Sequence, residues 1–237
     1  MTTLDIDHAI APRSRLRAPL ARLLHHPYTE GRRRTLNLVV AAGGLVIAAP
    51  LMLAIAVLVK LTSRGPVFFT QTRVGLDRRT PETSAGNGKR HNDFGGKPFT
   101  IYKFRTMADN PGAEMWARPD DPRVTPVGRV LRKYRLDELP QLLNVLRGDM
   151  NVVGPRPEQP AIFASLRERV EGYGRRQCVR PGITGWAQVN QSYDRCLDDV
   201  RRKVRYDLEY VGRQSVSEDL KIMLRTLPVI LLRRGAW

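Results

Sequence analysis

Cysteine is nearly absent from this chain, and the two present, Cys178 and Cys196, form neither a disulfide framework nor a zinc-ligand spacing. A reducing compartment is therefore the default, and both thiols read as structural. Aromatic residues make up 7% of the chain, which argues against a surface of stacked rings for nucleic-acid bases. Acidic side chains are in deficit, 23 Asp+Glu against 40 Lys+Arg, for a net charge of +17. That balance implies a polyanionic partner: nucleic acid, an anionic membrane surface or a phosphorylated substrate. Most of the excess is arginine, which grips phosphate with two prongs and stays charged when partly buried. At 237 residues the chain has room for one large domain or two small ones and a substantial core.

Residues 1–34 carry Arg13, Arg15, Arg17, Arg22 and the run Arg32-Arg33-Arg34, interrupted by Pro12, Pro19 and Pro27. They read as a basic N-terminal arm, either solvated or held against anionic lipid. From Thr35 to Val59 no residue is charged. As helix this run is about 37 Å long at ~1.5 Å per residue, enough for the ~30 Å core of a bilayer. It is longer than the apolar region of an ordinary secretory signal, although Arg33-Arg34 before it and Ala54-Ile55-Ala56 within it resemble one. Basic residues flank both ends, so the usual charge bias points both to the cytoplasm. Pro50 and Gly43-Gly44 offer a bend. These facts favour a re-entrant helical hairpin over 35–62, broken near Pro50, slightly above a straight span.

Ser63 to Phe69 leaves the membrane, with Pro66 stopping the helix. Residues 76–97 are polar and glycine-rich and read as a mobile loop, with His91 solvated in it. Pro98 to Met107 alternates apolar and polar residues, one strand of a half-buried hairpin, with Lys103 and Arg105 on one face as a solvated edge or a phosphate grip. Residues 127–135 have helical spacing, with Val127, Val130, Leu131 and Tyr134 on one side. A further helix is expected from Asp137, with Pro140 in its first turn and Leu139, Leu142, Leu143 and Leu146 on its apolar face. Gly148 to Pro157 reads as a rigid loop that fixes Arg156 between Pro155 and Pro157. Arg180 to Asn190 is turn-rich, with a buried-type Trp186. A capping box at Ser215 and Glu218 opens a C-terminal amphipathic helix with Leu220, Met223, Leu224 and Leu227 on one face, packed in the core or lying at a membrane surface.

Asp137 and Glu138 are adjacent carboxylates placed between Arg132 and Arg156. Acidic pairs also occur at Asp120-Asp121, Asp198-Asp199 and Glu218-Asp219, and most such pairs only solvate a surface. This pair differs in its setting. At a helix start its pKa would fall and phosphate would be attracted, and cations on either side suit attack of a carboxylate on phosphorus.

Together with Gly65-Pro66-Val67-Phe68-Phe69, Gln71, Arg73, Lys103-Phe104-Arg105-Thr106-Met107, Asp137-Glu138-Leu139-Pro140-Gln141, Gly148-Asp149-Met150, Gly154-Pro155-Arg156-Pro157 and Arg180 to Asn190, the chain resembles the bacterial sugar transferase family over about residues 33–227. These are the monotopic phosphoglycosyl transferases that act on undecaprenyl phosphate. The resemblance implies a mainly α fold with a small β-hairpin (α+β): a re-entrant membrane helix, interfacial helices and a cytoplasmic catalytic domain at 63–237. It implies transfer of a sugar 1-phosphate from a UDP-sugar to undecaprenyl phosphate, with release of UMP, as the first membrane step of a surface glycan. It implies Asp137 as nucleophile, Glu138 as a Mg²⁺ ligand, and Arg132, Pro155 and Arg156 at the phosphates, with Lys103 and Arg105 as weaker donor-site candidates. The expected partners are the two substrates and inner-membrane lipids, not nucleic acid; a homodimer stays open. The chain departs from the family's usual pattern at Ala49-Pro50, in the length of loop 76–97 and at Asn151. A membrane-tethered nucleic-acid-binding protein and a non-catalytic scaffold for polysaccharide assembly are the alternatives. Neither the sugar nor the pathway is readable.

Overall fold

A computed structural model describes residues 27–78, 95–108, 121–191, 194 and 196–231, with side chains from residue 30 to residue 230. The arm residues 1–26, residues 79–94 of the predicted loop with His91, and Arg233-Arg234 lie outside the described residues.

The first helix, α1, runs Pro27–Thr62 without interruption. It starts before the uncharged stretch, and it continues through Pro50, so the expected break does not appear as a gap in the helix. Arg33, Asn37, Ala41, Ile55 and Val59 are buried, with Gly44, Ala48 and Met52 half-buried between them. Steps of three and four keep these side chains on one face along the whole helix. Val39, Val46, Ile47, Leu53 and Leu61 are exposed, so the other face is apolar too.

Polar clamps hold the start of α1. The Arg33 guanidinium donates to Asp219 Oδ2 at 2.8 Å and to the Tyr210 hydroxyl at 2.6 Å, and also reaches Gln214. Asn37 Oδ1 accepts from the Val152 amide at 2.6 Å. Arg34 donates to the Val145 and Leu146 carbonyls at 2.6 and 2.8 Å, near the end of another helix, where carbonyls lack intrahelical partners. The last arginines before the apolar run were expected in a basic arm; Arg33 is instead 6% exposed and paired. At the other end, Ile55 and Val59 pack with Phe104, Leu131, Leu136 and Leu139. Both ends of α1 therefore rest on the same domain.

Strands β1 (Phe68–Val74) and β2 (Pro98–Phe104) pair antiparallel, with Phe69 opposite Lys103 and Gln71 opposite Ile101, as the alternation required. A second pair was not anticipated. Strands β3 (Asn151–Val153) and β4 (Gly182–Thr184) lie parallel, too short for a period of two to be read. A Cβ on Gly182 would stand 2.0 Å from the Gly154 amide nitrogen, so the approach of these backbones requires glycine.

Helix α2 (Pro126–Lys133) is capped by Thr125, whose side chain accepts from the Gly128 amide. It buries Leu131, but Val130, expected on the same inner face, is exposed. After the dyad turn come α3 (Gln141–Arg147), α4 (Pro160–Arg169), α5 (Trp186–Asn190), α6 (Leu197–Arg213) and α7 (Val216–Leu231). The main core gathers Ala41, Ile101, Val145, Met150, Val153, Trp186, Tyr210 and Ile222 from most of these elements. A second core joins Val74, Phe163, Tyr173 and Val204.

In α7 the Ser215 hydroxyl accepts from the Glu218 amide at 3.1 Å, the predicted cap. Leu220, Leu224 and Leu227 are exposed while Ile222 is fully buried. Three of the four leucine-type positions thus face outward, as an interfacial helix requires. Cys178 and Cys196 are free and exposed, not core residues.

Candidate active site

Asp137 and Glu138 occupy one turn of 3-10 helix, Leu136–Glu138, ahead of α3. Helix α3 starts at Gln141 with Pro140 as its cap, so the dyad precedes the helix N-terminus at which it was expected. Its entry is unusual. Arg135 has φ 55° and ψ 22°, the left-handed region, which costs a residue with a side chain about 1 kcal/mol or more. That kink turns the chain out of α2 and directs both carboxylates inward, where each is 7% exposed.

Cations from three separate elements act on the pair. Lys103, at the end of β2, places Nζ 2.9 Å from Glu138 Oε1 and 3.9 Å from Asp137 Oδ2. Arg156 donates to Glu138 through both terminal nitrogens, at 2.6 and 3.3 Å, a two-pronged grip. Arg132 donates through Nε to Thr106 Oγ1 at 3.0 Å, and its charge reaches Asp137. Burial is the largest influence on Glu138 and opposes ionisation, but Arg156 and Lys103 outweigh it and hold this carboxyl well below its ordinary range. For Asp137 burial wins: its pKa is raised, against the charges of Lys103, Arg132 and Arg156 and with the help of Glu138. A helix-dipole lowering was expected for the nucleophile; burial without a helix start reverses it.

Arg105 does not join this cluster. Its guanidinium donates to the Ser63 and Arg64 carbonyls at 2.6 and 2.5 Å, closing the end of α1 onto the strand pair. Strand β2 stops at Phe104, so the alternation that would have aligned Arg105 with Lys103 has ended. Pro155 contributes no charge; its carbonyl accepts from the Gly182 amide at 3.0 Å, which pins the loop that carries Arg156.

A buried ionic cluster supports that loop from behind. Arg176, fully buried, donates to the Arg156 carbonyl at 2.9 Å and pairs with Asp207 at 2.7 Å. Lys203 pairs with Glu158 at 2.8 Å and Asp194 at 2.9 Å. Although burial disfavours the Glu158 carboxylate, Lys203 and Arg176 bring its pKa down to about 2. Arg73 donates to the Pro157 carbonyl at 3.3 Å. Arg176, Lys203 and Asp207 were missed because a charged residue on a helix reads as solvated unless its neighbours in space are known.

Among the described residues no group of three or more His, Cys, Asp or Glu could hold a metal ion. The dyad alone supplies two hard carboxylates. That donor set fits Mg²⁺, which takes one or two carboxylates together with substrate phosphate oxygens. A buried carboxylate beside cations suits nucleophilic substitution at phosphorus.

The bacterial sugar transferase family profile matches residues 28–233. Among curated proteins, the chain is 41% identical over 220 residues to the UDP-N-acetylgalactosamine-undecaprenyl-phosphate N-acetylgalactosaminephosphotransferase of Aeromonas hydrophila, covering 92% of this chain and 48% of that one. It is 41% identical over 199 residues to the UDP-glucose:undecaprenyl-phosphate glucose-1-phosphate transferase of Escherichia coli (strain K12), covering 82% and 39%. A protein of the same description from Caulobacter vibrioides is 42% identical over 211 residues, covering 87% and 72%. The chain thus spans about half or less of the first two relatives.

Proposed function

Because the chain belongs to the bacterial sugar transferase family, we propose that it moves a sugar 1-phosphate from a UDP-sugar to undecaprenyl phosphate. The observation that carries this reading is the buried Asp137-Glu138 pair facing Lys103 and Arg156. A carboxylate oxygen of Asp137 attacks the sugar-bearing phosphorus, and the bond from that phosphorus to the bridging oxygen breaks as UMP leaves with the electron pair. A phosphate oxygen of undecaprenyl phosphate then attacks the same phosphorus and releases Asp137 as carboxylate. Lys103, Arg132 and Arg156 stabilise charge on the phosphoryl oxygens. Glu138 would hold Mg²⁺, which when bound neutralises phosphate charge.

Proton state decides which carboxyl does which task. Glu138 is ionised by its cations and suits a metal-holding role, whereas Asp137, with its raised pKa, is the more basic oxygen and the better nucleophile once ionised.

The acceptor's phosphate lies at a bilayer surface, so the dyad must sit at headgroup level. Both ends of α1 pack on one domain, and its outward face is apolar. That arrangement supports a re-entrant, monotopic attachment, and the basic residues at both ends of the apolar run favour the cytoplasmic face of the inner membrane for the catalytic domain. The exposed leucines of α7 supply a second contact with lipid.

The test incubates purified chain with Mg²⁺, undecaprenyl phosphate and a panel of radiolabelled UDP-sugars that includes UDP-glucose and UDP-N-acetylgalactosamine. Lipid-linked sugar phosphate and UMP are expected in equal amounts, and acid-quenched protein should carry label on Asp137. A folded protein inactive across the panel would sink the enzyme reading; label on another residue would reassign the nucleophile. Cysteines introduced before Arg32 and after Lys60 should react from the same side of the membrane.

A further inference from the structure

A groove of about 140 Å³ adjoins the dyad turn. Arg135 and Glu138 stand at one end, Leu142 and Val189 form walls, and Val229 and Ile230 of α7 complete it. Its lining comes from the dyad turn, α3, β4, α5 and α7; the Lys103 and Arg156 cations come from β2 and the Pro155–Pro157 loop. The space is below the ~300–1,000 Å³ of a pocket that encloses a small molecule, so it receives a segment of a ligand.

Three observations identify the segment. Leu139, Leu142, Ile183, Val189, Val229 and Ile230 make most of the wall, with Thr184, Gln188 and Thr226 as its polar side chains, so an apolar chain covers more of it than a sugar ring or a uracil would. The helix that closes the groove, α7, turns Leu220, Leu224 and Leu227 outward, and Leu142 on its wall also meets Gly44 of the apolar α1. The groove therefore joins the turn that carries Glu138 to α7, one of the two elements that present apolar surface, and Leu142 links it to the other. At its reacting end stands Arg135, a cation held in a left-handed backbone conformation that only a surrounding structure sustains.

Resting on the reaction proposed above, we propose that this groove seats the first isoprene units of the acceptor lipid and that Arg135 binds its phosphate. Donor and acceptor then approach the dyad along different walls. The donor diphosphate meets Lys103, Arg132 and Arg156; the acceptor arrives from the membrane along α7. An apolar tail leading to one phosphate is the ligand whose chemistry matches both ends of the groove.

Two experiments test this. In steady-state assays with undecaprenyl phosphate in mixed micelles, Ile230→Trp, which fills the groove, should raise KM for the acceptor at least tenfold while KM for the UDP-sugar stays within twofold. Ile230→Leu should restore the acceptor KM. Arg135→Asn keeps a residue that tolerates the left-handed backbone and removes the charge; it should show the same split. Equal changes for both substrates, or no change, would overturn the assignment. Should Ile230→Trp not fold, photolabelling of the wild-type chain decides. A farnesyl phosphate carrying a diazirine on its second isoprene unit should label peptides containing Val189 or Val229-Ile230, and label confined to α1 or α2 would overturn it. UMP release by wild type with an unmoved acceptor KM in the variants defeats the groove alone; no UMP release by folded wild type defeats the reaction as well.

Discussion

Lys103→Met isolates the electrostatic part of the proposed chemistry. The ammonium lies 3.9 Å from Asp137 and is the largest charge lowering that carboxyl's pKa, against a burial that raises it. At that separation and an effective dielectric near 20, the interaction is about 4 kcal/mol. The Lys103 side chain is 17% exposed, and water reaching it screens part of this, so that figure is an upper bound and the Asp137 titration moves upward when the ammonium is removed. Methionine keeps the length of the side chain, and Glu138 keeps its grip from Arg156. The assay is single-turnover UMP release at fixed Mg²⁺ over a pH series from 5 to 9. In wild type the rate should rise with pH as Asp137 loses its proton, and in the variant this rise should move to higher pH. The plateau should also fall, because a phosphate ligand is gone. A lower plateau with the acid limb unmoved would refute the reasoning, since Lys103 would then act on substrate alone.

Asp137→Asn should abolish the covalent label, yet its thermal midpoint at pH 7.5 should equal or exceed that of wild type, because a carboxyl whose pKa burial has raised costs stability when ionised. A marked drop in the midpoint would show that the ionised aspartate supports the fold. Glu158, with its pKa lowered from 4.5 to about 2, contributes on the order of 3 kcal/mol through its ionised form. That contribution is complete above pH 4.5 and lost as the pH falls through 2, so denaturant unfolding should show Glu158→Gln losing about this much at pH 7 and the gap narrowing below 4.5. Arg33→Leu leaves Asp219 buried without its guanidinium partner and should cost about 3–5 kcal/mol, a fall in the thermal midpoint in detergent of roughly 10 °C. A fall under 2 °C would mean that the Arg33–Asp219 pair contributes little to holding α1.

Local chemistry made much of this protein legible before any fold was known. The uncharged run from Thr35 to Val59 can rest only in an apolar environment, and in α1 its outward face is apolar as required. Alternation set the strand at Pro98–Phe104, and the Ser215 cap set the start of α7. The dyad, Arg132 and Arg156 stood out as an acidic pair between arginines, and family resemblance gave them roles that spacing alone could not.

Tertiary structure decided what depends on neighbours distant in sequence. Arg105 and Lys103 look alike two residues apart, yet one closes a loop at Ser63 and the other reaches Glu138. Arg33 belongs to a basic run and is nonetheless a buried clamp on Asp219. The β3–β4 pair and the Arg176 cluster behind Arg156 have no periodic signal, because each joins short segments across the chain. The sequence by itself determined which segments are apolar and which groups are charged or nucleophilic, since these properties belong to the residues. Only the packed chain decided that Glu138 is ionised while Asp137 is raised, because burial and cation distance, not residue type, set the proton affinity of a carboxyl.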